Sequence, residues 1–383
     1  MSNNKKRVAI IVTSVLMVKF FLVPHLKSLA KIYDVTLIVK NDEPEILRSL
    51  DLPLKIIILP IERKVNFLKD IYVLILLVNK IRNQKFDLVH TFTPKAGLLG
   101  SLAAWINCIP IRIHTFQGEI WANKKGLWRL ILRLSDKLVA KLSTNIIVVS
   151  ESERQYLIAE KIIQENKSSV IANGSISGVN FSQFNVDKVK RASLRKLIQL
   201  TDEDILFLYV GRLNEDKGLL DLGAAFHLLS KEIQNVHLLI TGPDEENIIS
   251  KLSAIKEVVG NRLTFQSYTS QPQHVMQSAD VLVLPSYREG FGVVVIEAAA
   301  CGIPAIGSNI YGIQDAIVLG ETGLFFEKQS IPDLLEKMRW MVDNSGERVL
   351  MGLKARKRVE MSFNQTDIVN ATLEFYADQF SRL

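Results

Sequence analysis

Ile205-Leu-Phe-Leu-Tyr-Val210-Gly211-Arg212-Leu-Asn-Glu-Asp-Lys217-Gly218 is a six-residue apolar run that stops at a glycine and passes, through two cations five positions apart, into a helical pattern. A run apolar on both faces predicts a strand buried in a parallel sheet. Strand, glycine turn and helix in succession predict a βα unit. Outward from this stretch the same alternation predicts strands at 236–241, 262–265, 280–284, 304–307 and 324–326. Before it, strands are predicted at 7–13, 35–39, 55–59, 87–90, 111–114 and 145–149, with helices over 65–82 and 127–142. The turn-forming run Asn173-Gly-Ser-Ile-Ser-Gly-Val-Asn180 has no helical period and reads as a linker. The expected fold class is therefore α/β: two doubly wound, Rossmann-like parallel-sheet domains facing a cleft, residues 1–180 and 181–362. The stretch 363–383 is expected to form a helix returning to the first domain.

Composition narrows the function classes. The chain has 383 residues, 48% hydrophobic and 23% charged, which excludes wholesale disorder. Two cysteines, Cys108 and Cys301, make neither a disulfide framework nor a short-range metal pair, and a reducing, cytoplasmic setting is expected. No signal peptide is expected. The longest apolar run, Ile71 to Val78, is far short of the ~20 residues of a membrane span. Charge is unevenly shared. Residues 1–180 hold 26 Lys and Arg against 14 Asp and Glu, or +12, and the remaining residues hold 21 against 26, or −5. A basic half suits an anionic partner: a phosphorylated substrate, a lipid headgroup or nucleic acid. Chance scatter between domains is the bland alternative.

Arg212 and Lys217 flank the turn after the 205–210 strand, where a guanidinium fork and an ammonium suit a diphosphate; alternatively they are two solvated cations of a surface turn. A second signal is Pro285-Ser-Tyr-Arg-Glu289-Gly290-Phe291-Gly292-Val293-Val-Val-Ile-Glu297-Ala-Ala-Ala-Cys-Gly302. Gly290 and Gly292 allow close backbone approach to a ligand. The helix from Val293 offers its first amides to an anion. Glu297 lies within that apolar helix, where a carboxylate without a partner is costly, and it suits sugar hydroxyls better than phosphate. Glu289 precedes the helix and is either a ligand contact or a helix-dipole carboxylate.

Gly211-Arg-Leu-x3-Lys217-Gly218 followed by Glu289-x7-Glu297 resembles the retaining glycosyltransferases of family 4, which have the GT-B fold. The resemblance spans most of the chain and includes Asn173-Gly174, Gly242-Pro243, Gly302-x-Pro304 and Glu321-Thr-Gly323-Leu324. It implies that Arg212 and Lys217 bind the donor's diphosphate and that Glu297 binds the ribose. It implies that Glu289 contacts the transferred sugar and that the backbone at Phe291, Gly292 and Val293 completes the cradle. The base is expected near Gly242 and the 265–269 strand end. The resemblance implies catalytic roles for Glu289, Arg212 and Lys217, same-face attack, and no cofactor beyond the UDP-sugar substrate. No metal is expected: Asp202-Glu-Asp204 precedes its strand and so faces the wrong end of the sheet for a metal-holding Asp-x-Asp.

The first half is expected to take the acceptor. The family's Thr-x-His-Gly motif appears here as Thr115-Phe116-Gln117-Gly118, so Gln117 stands where the family has a histidine; glutamine can hydrogen-bond a hydroxyl but cannot act as a base. His114, three positions earlier, reads as structural. Lys95, in Thr93-Pro-Lys-Ala-Gly97, is placed to meet an acceptor phosphate. Lys125, Arg129, Arg133, Lys137 and Lys141 recur every four residues and predict a basic stripe opposite Leu127, Leu130, Ile131, Leu134 and Leu138, with Trp128 at the boundary. This pattern fits an anionic membrane surface, or equally an ordinary helix with its apolar side inward.

Thr93–Gly97 and Gly307–Asp315 resemble the subset of the family that builds bacterial surface polysaccharides, O-antigen of lipopolysaccharide or capsule, on undecaprenyl diphosphate. The expectation is a peripheral enzyme of the inner membrane face. It would move a hexose or N-acetylhexosamine from a UDP-sugar to an undecaprenyl-diphosphate-linked saccharide, with no nucleic-acid partner. A UDP-sugar epimerase of the same fold and a non-catalytic sugar-nucleotide sensor are the alternatives.

Overall fold

The computed structural model describes residues 5–62 and 65–382. The first sheet contains β1 (Arg7–Ile11), β2 (Asp34–Val39), β3 (Lys55–Ile58), β4 (Leu88–Phe92), β5 (Ile111–Phe116), β6 (Asn145–Val148) and β7 (Ser168–Val170), in the order β3-β2-β1-β4-β5-β6-β7. The second contains β8 (Ile205–Val210), β9 (Val236–Thr241), β10 (Leu263–Gln266), β11 (Val281–Leu284), β12 (Ala305–Ser308) and β13 (Gly323–Phe326), in the order β10-β9-β8-β11-β12-β13. Every strand pair is parallel, with registers such as Val8 opposite Leu88 and Phe207 opposite Val281. Parallel neighbours need crossover helices, and these cover both faces; central strands such as β8 are accordingly buried nearly throughout.

The chain divides into two compact units: one reaches to Ser177 and resumes at Gln365, the other is Gly178–Asn364. The division falls inside the 173–180 turn-rich run. The helix Gln365–Ser381 packs on the first unit, where Tyr376 joins a core of Val8, Ile10, Leu26, Leu37 and Leu88, and its hydroxyl lies 2.6 Å from His90 Nδ1.

Several expected boundaries move. β1 ends at Ile11, two residues short of the predicted strand, and β4 and β5 each continue two residues further, to Phe92 and Phe116. β7 was not expected: Ser-Ser-Val at a half-buried sheet edge lacks the apolar run that marks the other strands. Asp204 caps the turn before β8, accepting from the Thr201 amide at 2.7 Å and its hydroxyl at 2.8 Å.

In each sheet the strand order reverses beside the first strand of its unit, between β1 and β4 and between β8 and β11. Loops leaving the carboxyl ends of these two strands diverge to opposite faces, and the crevice between them is where an open α/β sheet takes its ligand.

Candidate functional site

In the second unit, the turn after β8 carries Lys217 and the loop after β11 carries Glu289, so the reversal of strand order brings them together. The Lys217 ammonium donates to Glu289 Oε1, and each side chain is only 16% exposed. Ser286 Oγ donates to the same carboxylate oxygen at 2.8 Å. Burial pushes the Glu289 carboxyl up, but the Lys217 charge and the two hydrogen bonds outweigh it and hold the group below the usual carboxylate range. Glu289 is therefore ionised at neutral pH. The two loops are pinned by further contacts: Arg288 Nε to Asp216 Oδ2 at 2.8 Å, the Tyr287 amide to the Asp216 carbonyl at 2.8 Å, and Tyr287 Oη to Asp221 at 2.8 Å.

Two glycines make this closeness possible. A Cβ on Gly218 (φ +66°) would lie 2.1 Å from the Pro285 carbonyl oxygen, and one on Gly242 (φ +148°) would lie 1.8 Å from that of Gly211. The loops after β8, β9 and β11 therefore meet backbone to backbone, which a side chain at either position would prevent.

Arg212 faces the loop after β9. Its Nη1 lies 3.0 Å from Glu245 Oε2, and Asn214 Nδ2 donates to the same oxygen at 3.1 Å. Tyr209 Oη donates to the Arg212 carbonyl at 2.8 Å and fixes the main chain there. Glu245, Asn214 and Ser286 were not singled out from sequence. The reading stopped at Gly242, although a carboxylate three residues beyond a strand-end glycine was a usable signal.

Gly292 caps the helix Val293–Ala300 in the left-handed conformation, and Phe291 is buried against Phe363 with ring centroids 5.3 Å apart. Of the first-turn amides, that of Val295 donates to the Gly292 carbonyl at 2.9 Å, and the helix start follows directly on Phe291 and Gly292, the stretch expected to cradle a phosphate. Gly290, in contrast, has no positive φ; the close approach at that point is made by Gly312, whose Cβ position lies 2.7 Å from the Gly290 carbonyl oxygen. Burial raises the Glu297 carboxyl to about 8.

The residues expected on the acceptor side lie in the first unit. Lys95, expected to meet an acceptor phosphate, is paired within the unit. Its Nζ lies 2.8 Å from Asp70 Oδ1, with both side chains largely buried, so its charge is met within the unit. Gln117 leaves the end of β5, and its Nε2 is buried without a hydrogen-bond partner among the described residues. His114 fills the space over Gly97, lies 2.8 Å from Thr91 Oγ1 by its Nδ1, and is lowered by burial to about 3, which suits a structural role.

The basic helix Gly126–Leu142 differs from the simple amphipathic picture. Arg129 and Arg133 lie over the Trp121 ring at 5.7 and 5.4 Å and pair with Glu160 at 3.7 and 2.8 Å. They are partly exposed and engaged with these neighbours, whereas Lys125, Lys137 and Lys141 are exposed. The apolar residues Leu127, Trp128, Leu130, Ile131, Leu134 and Leu138 face outward, while Asp136, Val139, Ala140 and Leu142 face the sheet.

Two family models match the chain, one described as Glycosyltransferase Family 4 over residues 24–175 and one as Glycosyl transferases group 1 over residues 190–358. The chain is 33% identical over 308 residues to the capsular polysaccharide biosynthesis glycosyltransferase CapM of Staphylococcus aureus, covering 80% of each. It is 26% identical over 353 residues to a UDP-Gal:alpha-D-GlcNAc-diphosphoundecaprenol alpha-1,3-galactosyltransferase of Escherichia coli, covering 90% of this chain and 89% of the relative. Among solved structures, sucrose-phosphate synthase of Thermosynechococcus elongatus superposes with a TM-score of 0.80 at 21% identity, covering 99% of this chain and 100% of that one; it shares the GT-B fold.

Proposed function

The chain belongs to glycosyltransferase family 4, and we propose on that premise that it moves a hexose or N-acetylhexosamine from a UDP-sugar to an undecaprenyl-diphosphate-linked saccharide in surface polysaccharide synthesis. The observation that carries this reading is the Lys217–Glu289 pair across the β8/β11 reversal, with Arg212 on the same loop as Lys217 and the Val293–Ala300 helix starting four residues after Glu289. The names of the capsular and galactosyltransferase relatives support the substrate classes.

In this reading the sugar–phosphate bond breaks and the departing UDP gains negative charge. Arg212, Lys217 and the helix amides meet that charge, without a metal ion. Glu289 is already ionised; it aims the Lys217 ammonium and accepts from hydroxyls of the transferred sugar. Glu297, close to half-protonated near pH 8, meets the ribose hydroxyls. The acceptor hydroxyl attacks the same face that the phosphate leaves. Its oxygen bonds to the anomeric carbon, and its proton passes to a leaving phosphate oxygen, so configuration is retained.

The acceptor is membrane-borne, and we assign the outward apolar face of the Gly126–Leu142 helix to the bilayer surface. The helix Phe67–Gln84 supports this assignment: Phe67, Leu68, Ile71, Tyr72 and Ile75 are exposed, Leu68 by 79% and Tyr72 by 57%. Both helices start at the carboxyl end of the sheet and flank the helix Pro94–Ile106, so their first turns expose apolar surface on the ligand side. Among the described residues no helix is long and apolar enough to cross a membrane. Apolar side chains ringed by Lys124, Lys125 and Lys137 suit an anionic interface, each inserted large side chain contributing about 1.5–3 kcal/mol.

The testing experiment is a panel of UDP-sugars with undecaprenyl-diphosphate-linked N-acetylglucosamine as acceptor, read by product mass. An acceptor gaining one sugar residue supports the assignment. Inversion at C2 of the sugar without acceptor points to an epimerase, and binding without turnover to a sensor; either overturns it.

A further inference from the structure

Lys217 is carried on very little structure. It ends a single 3-10 turn, Glu215–Lys217, closed by the Lys217 amide on the Asn214 carbonyl at 3.1 Å and the Gly218 amide on the Glu215 carbonyl at 3.1 Å. Two such bonds do not fix a turn in one place by themselves. The loop after β11 supplies the rest. The Tyr287 amide donates to the Asp216 carbonyl at 2.8 Å, and Arg288 Nε donates to Asp216 Oδ2 at 2.8 Å, with the Arg288 and Asp216 side chains 20% and 29% exposed. A second ion pair on the same turn, Lys251 with Glu215 at 2.7 Å, is more exposed, and pairs of that kind hold little.

The ion pairs between the two loops specify one register. Asp216 meets Arg288 and Lys217 meets Glu289, each pair 72 positions apart. The order of signs is opposite in the two loops, Asp-Lys in one and Arg-Glu in the other. A slip of one residue in one direction would set Lys217 against Arg288, and in the other direction Asp216 against Glu289. Either slip brings like charges together in a largely buried place, where solvent screens them poorly. The charge pattern therefore favours the observed register and opposes both of its neighbours.

We infer that Arg288 and Asp216 are positioning residues: they hold the turn after β8 against the loop after β11 in the register that brings Lys217 to Glu289, and they act on sugar transfer through Lys217. The action on transfer rests on the donor-site reading above; the register does not.

The test joins amide hydrogen exchange of residues 214–218 and 286–289 in the full-length protein with steady-state transfer from the UDP-sugar that the panel selects. R288Q and D216N are each expected to raise exchange at Lys217, Gly218 and Tyr287 by about tenfold. Each is expected to cut kcat by about tenfold or more, with donor KM changing less. R288K, which keeps the charge, recovers most of both. D216N/R288Q is no worse than either single variant. R288Q in a K217A background lowers kcat by less than about twofold, because the residue it positions is gone. K251Q, on the exposed pair, matches the parent. Unchanged exchange in R288Q and D216N overturns the register, and K251Q loosening the turn as much as R288Q overturns its assignment to Arg288. A full further loss from R288Q on top of K217A overturns the action through Lys217. If D216N does not fold, R288Q and R288K give the same answer from the other side. If the parent transfers no UDP-sugar, the donor-site reading falls and the action on transfer with it, and the exchange result decides the register.

Discussion

Lys217 and Glu289 are 72 positions apart in the chain and share a hydrogen bond, and this single contact gives the proposed donor site its charge logic. The ammonium is aimed by an ionised carboxylate, so it is pre-oriented and needs little rearrangement as the leaving group gains charge. Lys217→Ala is expected to cut turnover by roughly 10²-fold or more, with a smaller effect on donor KM; steady-state kinetics at saturating donor checks this, and an unchanged rate counts against the residue. Glu245 pairs with Arg212. Glu245→Gln is therefore expected to tighten UDP binding, but only by about fivefold at most, because exposed ion pairs are worth roughly 0–1 kcal/mol; calorimetric titration reads the change, and weaker binding contradicts it. Glu297 binds a proton in the folded state up to about pH 8, while the unfolded chain releases it near the ordinary carboxylate value. The folded state thus holds more protons than the unfolded one between those limits, and stability from this group falls as pH rises through that window. Glu297→Gln should flatten the decline in Tm between about pH 5 and about pH 8 relative to the parent. A variant declining as steeply as the parent would remove the argument.

At the scale of elements, the basic helix shows what periodicity can and cannot tell. A four-residue recurrence of Lys and Arg establishes that Gly126–Leu142 has two unlike faces. It does not say which face meets the sheet, because that depends on neighbours 8 to 31 positions away: Trp121 and Glu160 draw in Arg129 and Arg133, and Val139, Ala140 and Leu142 take the sheet side. The outward Leu127 and Trp128, with Phe67 and Leu68 of the other exposed helix, carry the bilayer assignment. Replacing Leu68, Leu127 and Trp128 with Ser is expected to lower partition onto anionic vesicles by about tenfold or more, from lost apolar burial, while UDP affinity holds. Sedimentation with vesicles reads this, and unaltered partition removes these helices from the interface. The partner of Lys95 was not legible for a related reason: its sequence neighbours suggest a helix start open to an anion, and the carboxylate it meets is Asp70, 25 positions back. The strands were legible because buried parallel strands are apolar on both faces, and β7 was not, because an edge strand of Ser-Ser-Val needs no such run.

For the whole molecule, the chain leaves its first unit at Ser177 and returns at Gln365. Turn-rich composition disclosed the first crossing. The contacts of the returning helix, Tyr376 with His90 among them, were invisible because they link residues 286 positions apart. Ending the chain at Asn364 should expose the core around Tyr376 and lower the melting transition of the first unit, while UDP still stabilises the second; calorimetry with and without UDP separates the two, and loss of both would mean that the units do not fold independently. That Gly211–Gly218 and the loop before Val293 lie at strand ends was legible, since each is one contiguous stretch, and Lys217 and Glu289 do meet. Glu245 was only partly so: the sequence places a carboxylate three residues beyond Gly242, but its pairing with Arg212 is made between separate loops. The central claim is that the leaving diphosphate lies between Arg212, Lys217 and the first amides of the Val293–Ala300 helix. A crystal structure of the full chain with UDP tests it most directly: the β-phosphate is expected within hydrogen-bonding distance of Lys217 Nζ and of the Gly292–Val294 backbone, with Arg212 turned from Glu245 onto the phosphates. A diphosphate bound elsewhere, with the Lys217–Glu289 and Arg212–Glu245 pairs undisturbed, would contradict it.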